Sequence, residues 1–238
     1  MSYYNGVLMQ SHKGLQEELM KVVHDLKISE NSEILVLGSG YGSFDQRLLN
    51  EGYKYITSTD INEENFVVEG TNFIKLDFNK PFANKLKKRY DLIVCSDVIE
   101  HLHNPNLLMQ EINKLLKLGG TLLLTTPNVQ NAQSRINHLL FGCPTSFISH
   151  DGKPYPHITP VYKHILQYYS RKNGLEIITH KGVCNFYQNF KKGTLKRMIH
   201  FLIVLTGDII LKPFMWFNQN TLKGLDSIYI IQKERGKE

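Results

Sequence analysis

The sequence predicts an α/β fold built on a mostly parallel sheet, and three observations predict it. Glu33-Ile34-Leu35-Val36-Leu37 runs directly into Gly38-Ser39-Gly40-Tyr41-Gly42-Ser43-Phe44. That is the pattern of a buried strand, a glycine-rich turn and a helix. Strand and helix patterns then alternate as far as Pro127, which calls for parallel strands joined by crossovers. Asp60 closes the second strand about 20 residues after the turn, where an acid can hold ribose hydroxyls.

The elements follow in order. Leu15, Leu19, Val22, Val23 and Leu26 fall at helical spacing, so Lys13 to Leu26 is expected as an amphipathic helix capping the ligand or the sheet edge. Tyr3, Tyr4, His12 and Lys13 lie near its start, within reach of a substrate or on a surface arm. Ser43 is expected to cap a helix over Phe44 to Asn50, with its first amides aimed at a ligand. Tyr55 to Asp60 is the second strand, Asn72 to Leu76 the third, with Asp77 at its end. Pro81 opens a lysine-rich helix to Arg89, since proline suits a first helical position. Tyr90 to Ser96 is the fourth strand and Asn106 to Leu118 a helix that Gly119-Gly120 caps. Thr121 to Thr126 is the fifth strand. Residues 128–160 show no clean period and stand where an active-site loop would. A helix over Pro160 to Asn173, a strand from Leu175 to Lys181, an aromatic and basic insert over 183–224 and a last strand from Asp226 to Lys233 complete the chain. The expected organisation is one domain over 1–238: a cap helix in 1–32, a core in 33–181, the insert, and the last strand in 225–233. Right-handed crossovers bring Gly38 to Gly42, Asp60, Asp77, Cys95 to Asp97 and Thr126 to Asn128 to one rim, where open α/β sheets bind ligands.

Composition sets the outer bounds. The 238 residues are 42% hydrophobic and 21% charged, ordinary for a soluble globular chain. The net charge of +6 is compatible with a polyanionic partner or an anionic membrane and requires neither. Cys95, Cys143 and Cys184 are odd in number, far apart and without metal-type pairing, which argues against a disulfide framework and for a reducing, cytoplasmic compartment. The first residues lack a signal-peptide pattern, and no apolar run reaches the ~20 residues of a membrane span.

Three pieces of the sequence carry a resemblance: Leu37-Gly38-Ser39-Gly40-Tyr41-Gly42; Asp91-Leu92-Ile93-Val94 with Asp97-Val98-Ile99-Glu100-His101-Leu102; and Leu118-Gly119-Gly120-Thr121 followed by Thr126-Pro127-Asn128. They resemble the class I S-adenosylmethionine-dependent methyltransferases, nearest to the subset with the quinone-biosynthesis O-methyltransferases and bacterial tailoring enzymes. The resemblance covers about residues 30 to 181 and the last strand. It implies a Rossmann-like sheet of seven strands, the last one antiparallel and inserted beside the fifth. It also implies roles. Gly38 and Gly40, within the turn that Gly42 completes, would line the methionine moiety, and Asp60 would accept from both ribose hydroxyls. Asp77 would accept from the adenine amino group with Phe78 beside the ring, and the backbone of Cys95 or Ser96 would meet the methionine end. A dinucleotide fingerprint fits less well, because its third glycine position is Ser43.

A sulfonium methyl is already activated, so holding a nucleophile in line supplies much of the rate. A hydroxyl also gains from a base or a metal. His101, His150 and His157 are the base candidates. Asp97, Glu100 and His101 stand at i, i+3 and i+4, one face of a helical turn, and carboxylates with imidazole suit Mg²⁺, Mn²⁺ or Zn²⁺. The quinone and small-RNA methyltransferases have a similar acid-x-x-Glu-His motif, and by resemblance to the RNA enzymes His157 would complete the site. This chain departs from them in having Asp97 where they favour glutamate.

The insert bears on the acceptor. Phe186, Tyr187, Phe190, Phe201, Phe214, Trp216 and Phe217 stand among Lys191, Lys192, Lys196, Arg197 and Lys212. An amphipathic helix on an anionic inner membrane face fits this pattern, as does a helical lid over the pocket or a dimer partner. Nucleic acid fits less well, because the aromatics lie among aliphatics. The expected function is O-methylation of a small-molecule, sugar or lipid-linked acceptor. The alternatives are a nucleic-acid 2′-O-methyltransferase and a non-catalytic binding module of the same fold.

Overall fold

The computed structural model describes residues 2–147, 156–185 and 224–234. The chain opens on a hairpin, β1 (Ser2–Tyr4) and β2 (Val7–Met9), that the sequence reading missed. Its signal was present: Asn5-Gly6 takes positive φ at both residues (45° and 81°), as a two-residue type I′ turn requires. The hairpin packs on a later helix, and Leu8 of β2 also lines the cavity described below. Arg47 lies over the Tyr4 ring at 3.9 Å and Asn50 donates to the Tyr4 hydroxyl at 3.0 Å.

Helix α1 (Leu15–Asp25) buries Leu15, Leu19, Val22 and Val23, four of the five residues its spacing singled out; Leu26, the fifth, is its partly buried C-cap. β3 (Glu33–Leu37) leads through the glycine turn into α2 (Ser43–Asn50). β4 (Tyr55–Asp60), β5 (Asn72–Lys75) and β6 (Tyr90–Ser96) follow. The helix expected over Pro81 to Arg89 is only a 3₁₀ turn, Ala83–Lys85. The Glu111 carboxylate accepts from the amides of Phe82 and Ala83, both at 2.7 Å, and so captures the donors that a helix would have opened with.

Glu111 lies on α3 (Pro105–Leu115), capped by the Asn104 side chain. α3 ends earlier than expected, and Gly119-Gly120 are not its cap. β7 (Leu116–Pro127) begins at once and carries both glycines within it, beside a register shift where it pairs with β6. A Cβ on Gly120 would lie 2.9 Å from the Lys117 carbonyl and 3.1 Å from that of Tyr90, so close backbone packing explains that glycine.

Within 128–160 a further helix was missed, α4 (Ala132–Phe141). Its buried face is polar (Gln133, Ser134, Asn137), while Leu139, Leu140 and Phe141 are exposed, so apolar periodicity could not reveal it. α5 (Lys163–Lys172), β8 (Leu175–Asn185) and β9 (Gly224–Lys233) complete the described chain. The insert that was expected to form a lid or membrane contact lies, from 186 to 223, outside the described residues.

The main sheet has seven strands in the order β5-β4-β3-β6-β7-β9-β8. All neighbours are parallel except β9, which runs antiparallel to β7 and β8. Alternate residues face opposite layers. Ile34, Val36, Leu92, Val94 and Leu123 pack on α1 and α2, whereas Leu35, Leu37, Ile93, Leu122 and Leu124 pack with Leu108, Ile112 and Leu115 of α3. Each fully buried side chain of this kind contributes roughly 1.5–3 kcal/mol. Among the described residues no helix is long and apolar enough to cross a membrane.

Candidate functional site

The glycine turn is held by hydrogen bonds within the chain. The amides of Gly38 and Ser39 both donate to the Thr59 carbonyl at 2.9 Å, tying the turn to the end of β4. The Gly40 amide donates to Asp60 Oδ2 at 2.8 Å and the Asn62 amide to Oδ1 at 3.0 Å. Gly38 has φ +78°, and a Cβ there would sit 2.3 Å from Val98 Cγ2, so strand end and turn approach as only glycine allows. Ser43 caps nothing. It is the first residue of α2, and its hydroxyl accepts from Gln16 Nε2 at 2.6 Å.

Behind the turn lies Asp45, fully buried, accepting from the hydroxyls of Ser39 and Ser58. Burial pushes its carboxyl up to about 6 against those hydrogen bonds.

A cavity of about 740 Å³ opens at the carboxyl ends of the parallel strands, a size typical of ligand pockets. Gly38, Gly40, Asp60, Asp77, Phe78 and Ser96 all line it. Gly42 does not line it, and packs against Val68 and Phe66 instead. Cys95 does not line it either. It is fully buried in the core, and burial pushes its thiol far up, so it is inert. Asp77 is held below the usual carboxylate range by the Asn79 amide (3.0 Å) and by Lys80 (3.2 Å).

Beyond Ser96 the cavity holds Asp97, Glu100, His101, His157, His12 and Asp226. Asp97 has φ +53° and bonds Thr125, its amide and Oδ1 both engaging the Thr125 hydroxyl. Burial, and next the charge of Asp226, push its carboxyl up to about 7. Glu100 is fully buried in the short turn Ile99–His101, and neither carboxylate oxygen has a hydrogen-bond partner among the described residues. Burial, then the charge of Asp97, push it well above the ordinary glutamate value. His101 Nδ1 is 3.0 Å from the Pro156 carbonyl and His157 Nδ1 is 2.9 Å from that of Ser146, so each neutral ring carries its proton there and presents Nε2 as the acceptor. The two rings meet edge to face at 4.6 Å. The amides of Ile158 and Thr159 donate to the Glu100 carbonyl at 2.9 and 3.0 Å, strapping the His157 segment over this turn.

The structure redraws the expected donor set. Asp97 is turned into its bond with Thr125, and a 3₁₀ turn replaces the helical face. The donor atoms that converge, all within 4.8 Å of one another, belong to Glu100, His101 and His157. His150 lies outside the described residues.

Two residues went unassigned in the sequence reading. His12 had been placed only near a substrate, and Asp226 only at the start of a strand. His12 Nδ1 lies 2.9 Å from both oxygens of Asp226. An antiparallel β9 starts at the rim where the parallel strands end, which was the available signal for Asp226. The Asn128 and Asn131 side chains donate to the Gly224 carbonyl at 2.9 and 3.0 Å and secure that start.

Comparison with known proteins agrees with this geometry. A family model described as a methyltransferase domain matches residues 11–180. Phosphoethanolamine N-methyltransferase of Plasmodium falciparum is 36% identical over 118 residues, 46% of this chain and 44% of that protein. Ubiquinone biosynthesis O-methyltransferase of Rickettsia bellii is 30% identical over 102 residues, 40% of this chain and 42% of that protein. The chain thus spans less than half the length of the curated relatives it matches. A SAM-dependent methyltransferase from Archaeoglobus fulgidus superposes with a TM-score of 0.64 at 20% identity, over 94% of this chain and 95% of that one, and shows the shared fold. With the family match spanning most of the chain and the glycine turn, Asp60 and Asp77 on one rim, the protein belongs to the S-adenosylmethionine-dependent methyltransferases of the Rossmann-like class I fold.

Proposed function

We propose that the chain transfers a methyl group to a hydroxyl oxygen of a small-molecule, sugar or lipid-linked acceptor. One observation carries this reading: the cavity that begins at the glycine turn continues past Ser96 into a chamber lined by three imidazoles, His12, His101 and His157. A hydroxyl is a poor nucleophile until its proton has somewhere to go, and imidazole is the side chain suited to receive it near neutral pH. Gly38, Gly40, Asp60, Asp77, Phe78 and Ser96 form the half that would hold S-adenosylmethionine, which supplies the activated methyl when bound. The name of the Rickettsia relative supports oxygen as the acceptor atom, and that of the Plasmodium relative makes nitrogen the competing outcome. The test is transfer of tritiated methyl to 3,4-dihydroxybenzoate and a prenylated phenol, against phosphoethanolamine. Label in an aryl ether supports the reading; label recovered on the amine alone overturns it.

A metal-assisted version is favoured by one specific observation. Glu100 is buried with two unpartnered oxygens, and its donor atoms converge with those of His101 and His157. Two imidazoles and one carboxylate suit Mn²⁺, Fe²⁺ or Zn²⁺ better than the all-oxygen preference of Mg²⁺. Such an ion would lower the pKa of a bound hydroxyl. Zinc or manganese retained by the wild type and lost in Glu100→Gln, measured by elemental analysis after dialysis, would support it. Equal content in the two would reject it.

A further inference from the structure

We propose that His12 is the base that takes the acceptor's proton, and that Asp226 is the residue that positions it. The inference rests on the hydroxyl-acceptor reading and singles out one of the three imidazoles of that site, with the carboxylate that orients it. His12 lies in the segment between β2 and α1, and Asp226 lies in β9, so the pair joins the two ends of the described chain across the cavity.

The geometry is that of an oriented imidazole. Nδ1 of His12 is 2.9 Å from each oxygen of Asp226, whose side chain is only 1% exposed. Asp226 accepts, so Nδ1 carries the proton and Nε2 is the acceptor in the neutral ring. The ring itself is half exposed and lines the same cavity as Gly38, Ser96 and Asp97. Its backbone is also placed: the His12 carbonyl accepts from the Leu15 amide at 3.1 Å at the start of α1. Asp226 is held by sheet pairing opposite Pro127 of β7 and Val183 of β8. A desolvated, immobile carboxylate behind an imidazole fixes the tautomer and stabilises the imidazolium that forms, the role of the acid in hydrolase triads.

The carboxylates around His12 act in the same sense. Asp226 faces it from β9 and Asp97 from the end of β6; His157 lies across the cavity on the strap, and Cys184 adjoins Asp226 from β8. The Asp226 hydrogen bond raises the His12 pKa above 6.5 against the opposing effect of burial, and the charges of Asp226 and Asp97 add to it. A base raised above the ordinary imidazole value suits an acidic hydroxyl such as a phenol. In the transfer the acceptor oxygen forms its bond to the methyl carbon as the carbon–sulfur bond breaks. The electron pair stays on sulfur, giving a neutral thioether, and the hydroxyl proton passes to Nε2 of His12.

The test uses the full chain with His12→Gln, His12→Gly and Asp226→Asn, and three readouts. Calorimetry with S-adenosylmethionine should give dissociation constants within about threefold of wild type, which separates lost chemistry from lost folding. Methyl transfer to 3,4-dihydroxybenzoate should fall about 100-fold or more in His12→Gln, and added imidazole should restore part of the rate in His12→Gly. Histidine-labelled NMR should place His12 above 6.5 in the wild type and lower in Asp226→Asn, with the acidic limb of kcat moving the same way. Transfer within threefold of wild type in His12→Gln, or a His12 titration that Asp226→Asn leaves unmoved, overturns the assignment. A wild type that methylates only phosphoethanolamine sinks the hydroxyl reading, and the same rate comparison on that amine then decides His12. A wild type inactive on both probes leaves the titration to decide it.

Discussion

Asp45 offers a stability test of the cofactor turn. It is fully buried behind Ser39, with Oδ2 unpartnered, and burial raises its carboxyl from 3.8 to about 6. At about 1.4 kcal/mol per pH unit, that displacement makes the ionised native state about 3 kcal/mol less stable than an unperturbed aspartate would. The sign follows from the direction. A raised acid contributes its stability below its unfolded pKa and loses it as pH climbs through the folded value. About 1 kcal/mol of the 3 is already lost by pH 4.5, which leaves about 2 to be read between pH 4.5 and 7.5. Asp45→Asn removes this titration while its amide oxygen can still accept from Ser39 and Ser58. Urea unfolding of both proteins at the two pH values should therefore show the asparagine variant gaining about 2 kcal/mol on wild type as pH rises. Asp97 and Glu100 titrate in both proteins and cancel from the comparison. A difference that stays flat within about 0.5 kcal/mol would refute the claim that Asp45 is held as a destabilised buried acid.

Gly38→Ala should weaken S-adenosylmethionine binding at least tenfold and lower Tm. The left-handed backbone costs a side chain about 1–2 kcal/mol, and the Val98 contact at 2.3 Å adds to it. Adding Val98→Ala should restore part of the loss, measured by calorimetry. Asp60→Ala releases the Gly40 and Asn62 amides that hold the turn, so S-adenosylmethionine affinity should fall tenfold or more, about 1.4 kcal/mol at the least. Glu111→Ala orphans the amides of Phe82 and Ala83 and should cost about 2–3 kcal/mol in denaturant unfolding, with S-adenosylmethionine affinity little changed. The Lys114 ammonium and the two amides hold Glu111 below its ordinary value despite burial, so this contribution should fade as pH falls through the carboxylate range.

The residues legible in the sequence were those whose structure is decided locally. Ile34 to Leu37 must be a buried strand, and Gly38 must be glycine, because neighbouring atoms dictate both. Once the strands are parallel, their ends share a rim, so Asp60, Asp77, Phe78 and Ser96 could be gathered without coordinates. Gly42 and Cys95 share the turn and a strand end with them but do not line the cavity: the Gly42 backbone packs on Val68 and Phe66, and the Cys95 side chain lies in the core.

What stayed hidden depends on contacts between distant residues. The helix expected from Pro81 gave way because Glu111 takes its first amides, a partner 28 and 29 positions away. α4 escaped because its polar side chains are the buried ones, which inverts the pattern by which helices are recognised. Asp97 was grouped with Glu100 and His101 by spacing and by resemblance, but its positive φ turns it to Thr125, and the donors that converge are Glu100, His101 and the His157 that the resemblance had also named. By itself, the sequence determined the cofactor turn, its rim and the family resemblance, because backbone sterics and strand direction are properties of short segments. The tertiary structure decided the chamber beyond Ser96. There the His12–Asp226 pair spans 214 positions, and only the antiparallel insertion of β9 between β7 and β8 brings its two ends together.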